Sequence, residues 1–177
     1  KGFNGDVGIY IRHLFSNTAV GFNENKIFPT ASLIKVPILI KIFDKIEDGV
    51  LKMDSVLYFN KEAINYPWKG DDALSRFKDG EDITISKLLT HMITFSDNHA
   101  SLWLQDLAGG GTAINAWLKE NRFEYTRVNS RTEGREVHYQ QYGWGQTTPK
   151  EIAELLVMIR EGRVVSTAAS AEMYRLL

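Results

Sequence analysis

Cysteine is absent from this 177-residue chain, so neither a disulfide nor a thiolate metal site can contribute to its stability or chemistry. An excess of one charge is absent too. Twenty-one Lys and Arg stand against 22 Asp and Glu, a net charge of −1, and no basic run occurs. A nucleic-acid or anionic-membrane partner, which needs a positive field, is therefore not expected. No apolar stretch approaches the ~20 residues that cross a bilayer, and there are no repeats or low-complexity tracts. The four histidines (His13, His91, His99 and His138) show no compact ligand spacing, so no metal site is expected, and no cofactor is implied. The sequence opens at Lys1, without an initiator Met or a signal peptide; this reads as a start behind a cleavage or expression boundary. What remains is ordinary globular composition, 44% hydrophobic and 24% charged, enough for one domain with a real core.

Periodicity sketches the elements. Val7, Ile9 and Ile11 alternate with Gly8, Tyr10 and Arg12, the period of a half-buried strand. Ser16-Asn17-Thr18 is a turn, and 19–23 reads as the returning strand of an antiparallel hairpin. From Ser32 to about Glu47 few positions are polar, which predicts a helix buried nearly all round. Residues 54–121 read as mostly helical with polar breaks, Asp71-Asp72 and 78–82 being solvated loops. Thr84 is a helix cap, and Gly109-Gly110-Gly111 is a C-cap and turn. Residues 124–147 have no clear period, and long irregular stretches of this kind are often functional. Thr148-Pro149-Lys150-Glu151 opens a helix with a capping box that ends at Gly162, and a last helix is predicted over about 167–177.

Two short clusters carry chemistry. In Ser32-Leu33-Ile34-Lys35 a hydroxyl and an amine lie three residues apart, on one face of any helix they open. An amine can take a serine proton if its own charge is disfavoured, and that makes the oxygen a nucleophile. A helix N-terminus adds free N–H groups that suit a developing oxyanion. Ser96-Asp97-Asn98 offers a second hydroxyl to pass a proton and a carboxamide to hold an amide. By chance a Ser-x-x-Lys arises about once per few hundred residues, and a Ser-Asp-Asn roughly once per several thousand. A capping serine with a solvated lysine would explain each cluster separately, but not both in one context.

The pair, its order and its gap resemble the signature of class A β-lactamases and penicillin-binding proteins. The surrounding Phe28-Pro29-Thr30-Ala31, Val36-Pro37 and Met92-Ile93-Thr94-Phe95 agree with it. The resemblance implies an α/β fold of the α+β type, an antiparallel sheet flanked by helices plus a helical subdomain. One domain would fill 1–177: hairpin 6–23, central helix 32–47, helical subdomain 54–147 and return helices 148–177. It implies a serine acyl-enzyme hydrolase of β-lactam-type amides. The alternatives are a peptidoglycan DD-peptidase or related acyl hydrolase, and a non-catalytic β-lactam-binding sensor. The partner would be a small molecule, a β-lactam or a peptidoglycan-like peptide, met in the periplasm or outside the cell.

Roles follow from the same resemblance. Ser32 is the nucleophile and Lys35 its base. Ser96 relays a proton to the leaving nitrogen, and Asn98 binds a substrate amide. Asp97 holds the loop. Glu133, placed before Thr147-Thr148-Pro149 as in class A enzymes, is the deacylation candidate; the other reading is a surface glutamate paired to Arg131 or Arg135. Tyr66 and Trp68 fall where an aromatic wall is expected, or pack in the core. The family's Pro and Asn after the glutamate are here Gly134 and Val137. The third motif, Lys-Thr-Gly, is missing; Lys78-Asp79-Gly80 has its ends but precedes Ser96. Two strands are found where the family has five, so the C-terminal strands are expected from a further segment or a second chain.

Overall fold

A computed structural model describes residues 2–64, 66 and 77–177; Trp68 and Asp71-Asp72 lie outside the described residues. In chain order, strands β1 (Ile9–His13), β2 (Thr18–Phe22) and β3 (Phe28–Pro29) lead through a 3-10 turn (Ala31–Ile34) into helix α1 (Lys35–Glu47). Then come β4 (Val56–Tyr58), α2 (Lys61–Ile64), β5 (Asp82–Thr84), α3 (Ile85–Thr94), α4 (Asn98–Leu107) and α5 (Gly110–Glu120). The remaining elements are β6 (Arg127–Val128), α6 (Glu136–Tyr142), β7 (Gly145–Thr147), α7 (Pro149–Arg160) and α8 (Thr167–Leu176). Among the described residues no helix is long and apolar enough to cross a membrane.

The core is built round α1. Ile38, Leu39, Ile40 and Ile42 are fully buried, each contributing about 1.5–3 kcal/mol of transfer free energy. They meet α3, α4, α5 and α8, so the helix is enclosed, as its all-round apolar sequence requires. Pro37 is tolerated because the first turn of a helix has no carbonyl for its missing N–H.

The hairpin is half-buried, as its period of two indicates, and its polar face is the covered one. β1 and β2 pair antiparallel with Ile9 opposite Phe22 and Ile11 opposite Val20. These apolar side chains face outward, with Ile9 46% and Ile11 59% exposed. The covered face carries Tyr10 and Arg12. Tyr10 donates to Glu154 at 2.8 Å, and the Arg12 guanidinium binds the same carboxylate. Helix α7 presents an acid to this face, so the polar residues turn toward it. A period of two reveals two faces but not which lies inward.

Residues 124–147 are more regular than their sequence suggests. β6 and β7 pair antiparallel, and β7 also pairs with β3 to give the order β3-β7-β6. α6 lies between β6 and β7 in the chain. β4 and β5 form a third small sheet. The hairpin is therefore joined by short strands that carry too few residues for a period to emerge. The two caps read from the sequence form: Thr84 and Thr148 accept from Lys87 N (3.2 Å) and Glu151 N (3.1 Å), and Ser166, not singled out in the sequence, accepts from Ala169 N (3.1 Å). Gly109, at φ 98°, separates α4 from α5. The capping box at Thr148 is only half formed. Glu151 accepts instead from the backbone N of Glu124 (2.7 Å), Tyr125 (3.1 Å) and Thr126 (2.6 Å).

Candidate active site

The 3-10 turn sets the first pair. In that tighter helix positions i and i+3 eclipse, which stacks Lys35 over Ser32. The serine is exposed and the lysine 3% exposed. Ala31, just before the serine, is in the left-handed region at φ 44°, a conformation that non-glycine residues hold only when their surroundings impose it.

The second cluster arrives at a helix junction. Phe95 N and Asp97 N both donate to His91 O, which closes the end of α3. Ser96 is left at φ 54°. Asp97 caps α4 by accepting from Ala100 N at 3.0 Å, the holding role expected of it. Asn98 thereby begins α4 with its side chain turned toward Lys35.

Lys35 Nζ is the hub. It lies 2.5 Å from Ser96 O, 2.9 Å from Ser96 Oγ, 3.1 Å from Asn98 Oδ1 and 3.4 Å from Ser32 Oγ. Ser96 Oγ is 2.8 Å from Ser32 Oγ. An ammonium has three protons to donate, so these four oxygens cannot all be served at once. The contact to Ser32 is the longest. The nucleophile candidate is thus tied to the amine more closely through Ser96 than directly. The structure brings together Ser32, Lys35, Ser96 and Asn98, whose contacts cross 61–64 positions of sequence.

Tyr66 borders this group. Its hydroxyl is 3.5 Å from Asn98 Nδ2, and its half-buried ring meets His99 and Trp144 edge-on at 4.9 and 5.7 Å. Trp144 thus extends the aromatic side of the site. Its position in an aperiodic stretch gave no sign of that.

Glu133 stands apart from the cluster. It is exposed in the turn at 131–134, and among the described residues it shares no hydrogen bond or ion pair with the four. Neither arginine offered as its partner reaches it. Arg131 donates to Ile64 O and lies 3.7 Å from Asp106, whereas Arg135 binds Asn129 and Gln146. The turn is held from below. Gln105 Nε2 donates to Ser130 O at 2.7 Å, and Thr132 packs so closely on Gly111 that a Cβ there would fall 1.8 Å from Thr132 Oγ1. Only glycine fits that position of α5. Val137, where class A enzymes carry asparagine, is 72% exposed.

Among the described residues no group of three or more His, Asp or Glu side chains is placed to hold a metal ion.

Comparison with known proteins agrees with this architecture. PBP-A superposes with a TM-score of 0.80 at 25% identity, covering 96% of this chain and 60% of that one. A β-lactamase from Chitinophaga pinensis gives 0.83 at 22% identity, covering 97% and 63%. β-Lactamase VEB-1 of Pseudomonas aeruginosa is 22% identical over 157 residues, 89% of this chain and 52% of its own length. A β-lactamase of Bacteroides uniformis is 23% identical over 76% of this chain and 46% of its own length. The chain thus spans about half the length of these curated relatives. The fold, an antiparallel-sheet and helix architecture of the β-lactamase type, is common to them, and the sequence profile of the beta-lactamase enzyme family matches residues 1–177 in full; the chain belongs to that family.

Proposed function

We propose that the protein is a serine acyl-enzyme hydrolase of β-lactam-type amides. One observation carries the reading: the chain of contacts from Ser32 Oγ to Ser96 Oγ (2.8 Å) to Lys35 Nζ (2.9 Å). Hydroxyls rotate to suit their partners. With the amine neutral, the Ser32 proton passes to Ser96 as the Ser96 proton passes to Lys35. Ser32 Oγ bonds to the lactam carbonyl carbon, and the carbonyl pair moves onto oxygen. On collapse the C–N bond breaks, and the proton returns from Lys35 through Ser96 to the leaving nitrogen. Asn98 and Tyr66 flank the substrate amide. Glu133 takes a proton from water as the water oxygen bonds to the ester carbon; the acyl C–O bond then breaks, and Ser32 Oγ leaves with that proton returned from Glu133. Support comes from the family match and from PBP-A, a point mutant of which has been seen as an acyl-enzyme complex with penicillin G.

On this reading residues 1–177 belong to one catalytic domain, and the protein works in the periplasm or outside the cell. The test is intact mass after incubation with a labelled penicillin. One adduct is expected on Ser32 and none on Ser32→Ala; equal labelling of the variant ends the assignment.

A second reading is favoured by Val137, 72% exposed where a water-holding asparagine is usual: a β-lactam-binding domain that acylates and releases slowly. Rapid nitrocefin turnover supports the hydrolase, and a stable stoichiometric adduct supports the binder. Trapping of the adduct by Glu133→Gln would identify Glu133 as the base.

A further inference from the structure

Arg135 sits two residues beyond Glu133 and is partly buried. Its Nε and Nη2 donate to Asn129 Oδ1 at 3.0 and 2.8 Å, and Nη2 also donates to Gln146 Oε1 at 2.7 Å. Both acceptors are buried, Asn129 at 2% and Gln146 at 5% exposure. They flank the two ends of one loop. Asn129 follows β6, Gln146 is the centre of β7, and Asn129 N and Ser130 N both donate to Trp144 O. Among the described residues no carboxylate pairs with Arg135. Burial pulls its guanidinium below the ordinary arginine value, with the nearby Arg127 charge adding to the effect. The closure is therefore built on neutral oxygens, which do not titrate. The neck also reaches the nucleophile, because Thr30 N donates to Gly145 O at 3.0 Å two residues before Ser32. A Cβ on Gly145 would fall 2.5 Å from Ile34 Cδ1, so the strand lies directly on the catalytic turn.

We infer that Arg135 is a positioning residue: its fork closes the neck of the 129–146 loop on Asn129 and Gln146 and thereby fixes Glu133 relative to an acylated Ser32. This rests on the proposed role of Glu133 in deacylation. The planar fork matters, since it spans two acceptors that a single ammonium serves less well.

The test compares the full-length protein with Arg135→Ala and Arg135→Lys by amide hydrogen exchange, and by acylation and release of a labelled penicillin followed by intact mass. In Arg135→Ala, exchange over 130–142 is expected to rise at least tenfold, while α1 stays within threefold of wild type. Release is expected to slow at least tenfold, with acylation within twofold. Arg135→Lys should fall between, and it carries the test should the alanine variant fail to fold. Unchanged loop exchange overturns the inference. So does faster loop exchange with unchanged release, or an equal loss of acylation and release. If no variant is acylated, the proposed function fails while the exchange data still decide whether Arg135 closes the loop.

Discussion

Replacing Ser96 separates two properties of one residue. Its hydroxyl bridges Ser32 and Lys35 at 2.8 and 2.9 Å, whereas the direct Ser32–Lys35 contact is 3.4 Å. Its backbone is held at φ 54°. Ser96→Ala and Ser96→Gly both remove the hydroxyl, so both force the proton along the long direct contact. A well-placed proton relay contributes about 10²–10⁴ in rate. With a weak direct route remaining, acylation by a labelled penicillin is expected to fall roughly 10²-fold in both variants. The two differ in stability. Alanine at a left-handed position costs about 1–2 kcal/mol, and glycine gives back ~0.4–1 kcal/mol through its freer unfolded chain. Ser96→Gly is therefore expected to exceed Ser96→Ala by roughly 0.5–1 kcal/mol, about 1–4 °C in Tm for a chain of this size. Quenched time points read by mass spectrometry give the rates, and calorimetry gives Tm. Acylation within threefold of wild type in either variant refutes the relay; equal Tm values refute the strain.

Two further outcomes follow from groups away from the nucleophile. Glu151→Ala removes the acceptor for Thr126 N and Thr126 Oγ1, both 2.6 Å away, and Thr126 is fully buried. Water replaces the partners of exposed Glu124 and Tyr125, so the loss is about 2–4 kcal/mol, read as a Tm drop of roughly 5–10 °C; a drop under ~2 °C contradicts it. Burial pushes the Asp106 carboxyl above its ordinary value, and the Arg131 charge offsets this only in part. A raised folded value means that the stability contribution is full below the unfolded value near ~3.9 and is lost as pH rises through the folded one. Asp106→Asn is therefore expected to melt higher than wild type at neutral pH, with the gap closing toward about pH 4; a lower Tm at neutral pH overturns this.

Much of this was legible in the sequence where local physics decides. Thr84 and Thr148 cap helices because a hydroxyl next to free N–H groups needs no distant partner. The buried α1 followed from its lack of polar positions. What stayed hidden depends on partners far along the chain. The hairpin's covered face was decided by Glu154, more than 140 residues on, and half of a capping box was given up because Glu151 found better donors at 124–126. β6 and β7 are too short to show a period. The grouping of Ser32, Lys35, Ser96 and Asn98 came only through resemblance, because spacing cannot measure a distance across a fold. Arg135 was read as a partner for the Glu133 acid, and its true acceptors, the amides of Asn129 and Gln146, gave no sequence signal.

Helix α4 begins at Asn98, against Lys35, and near its other end Gln105 holds Ser130 at the foot of the Glu133 turn. Ten residues make a rod of about 15 Å. If the two half-reactions are run by these ends, this rod is the ruler between them. Inheritable change in this protein then faces a constraint: substitutions that shift α4 alter bond-making and bond-releasing steps together. Those on α6 or at Arg135 can tune release alone. Variants selected for faster turnover should therefore accumulate around the loop and leave α4 nearly untouched.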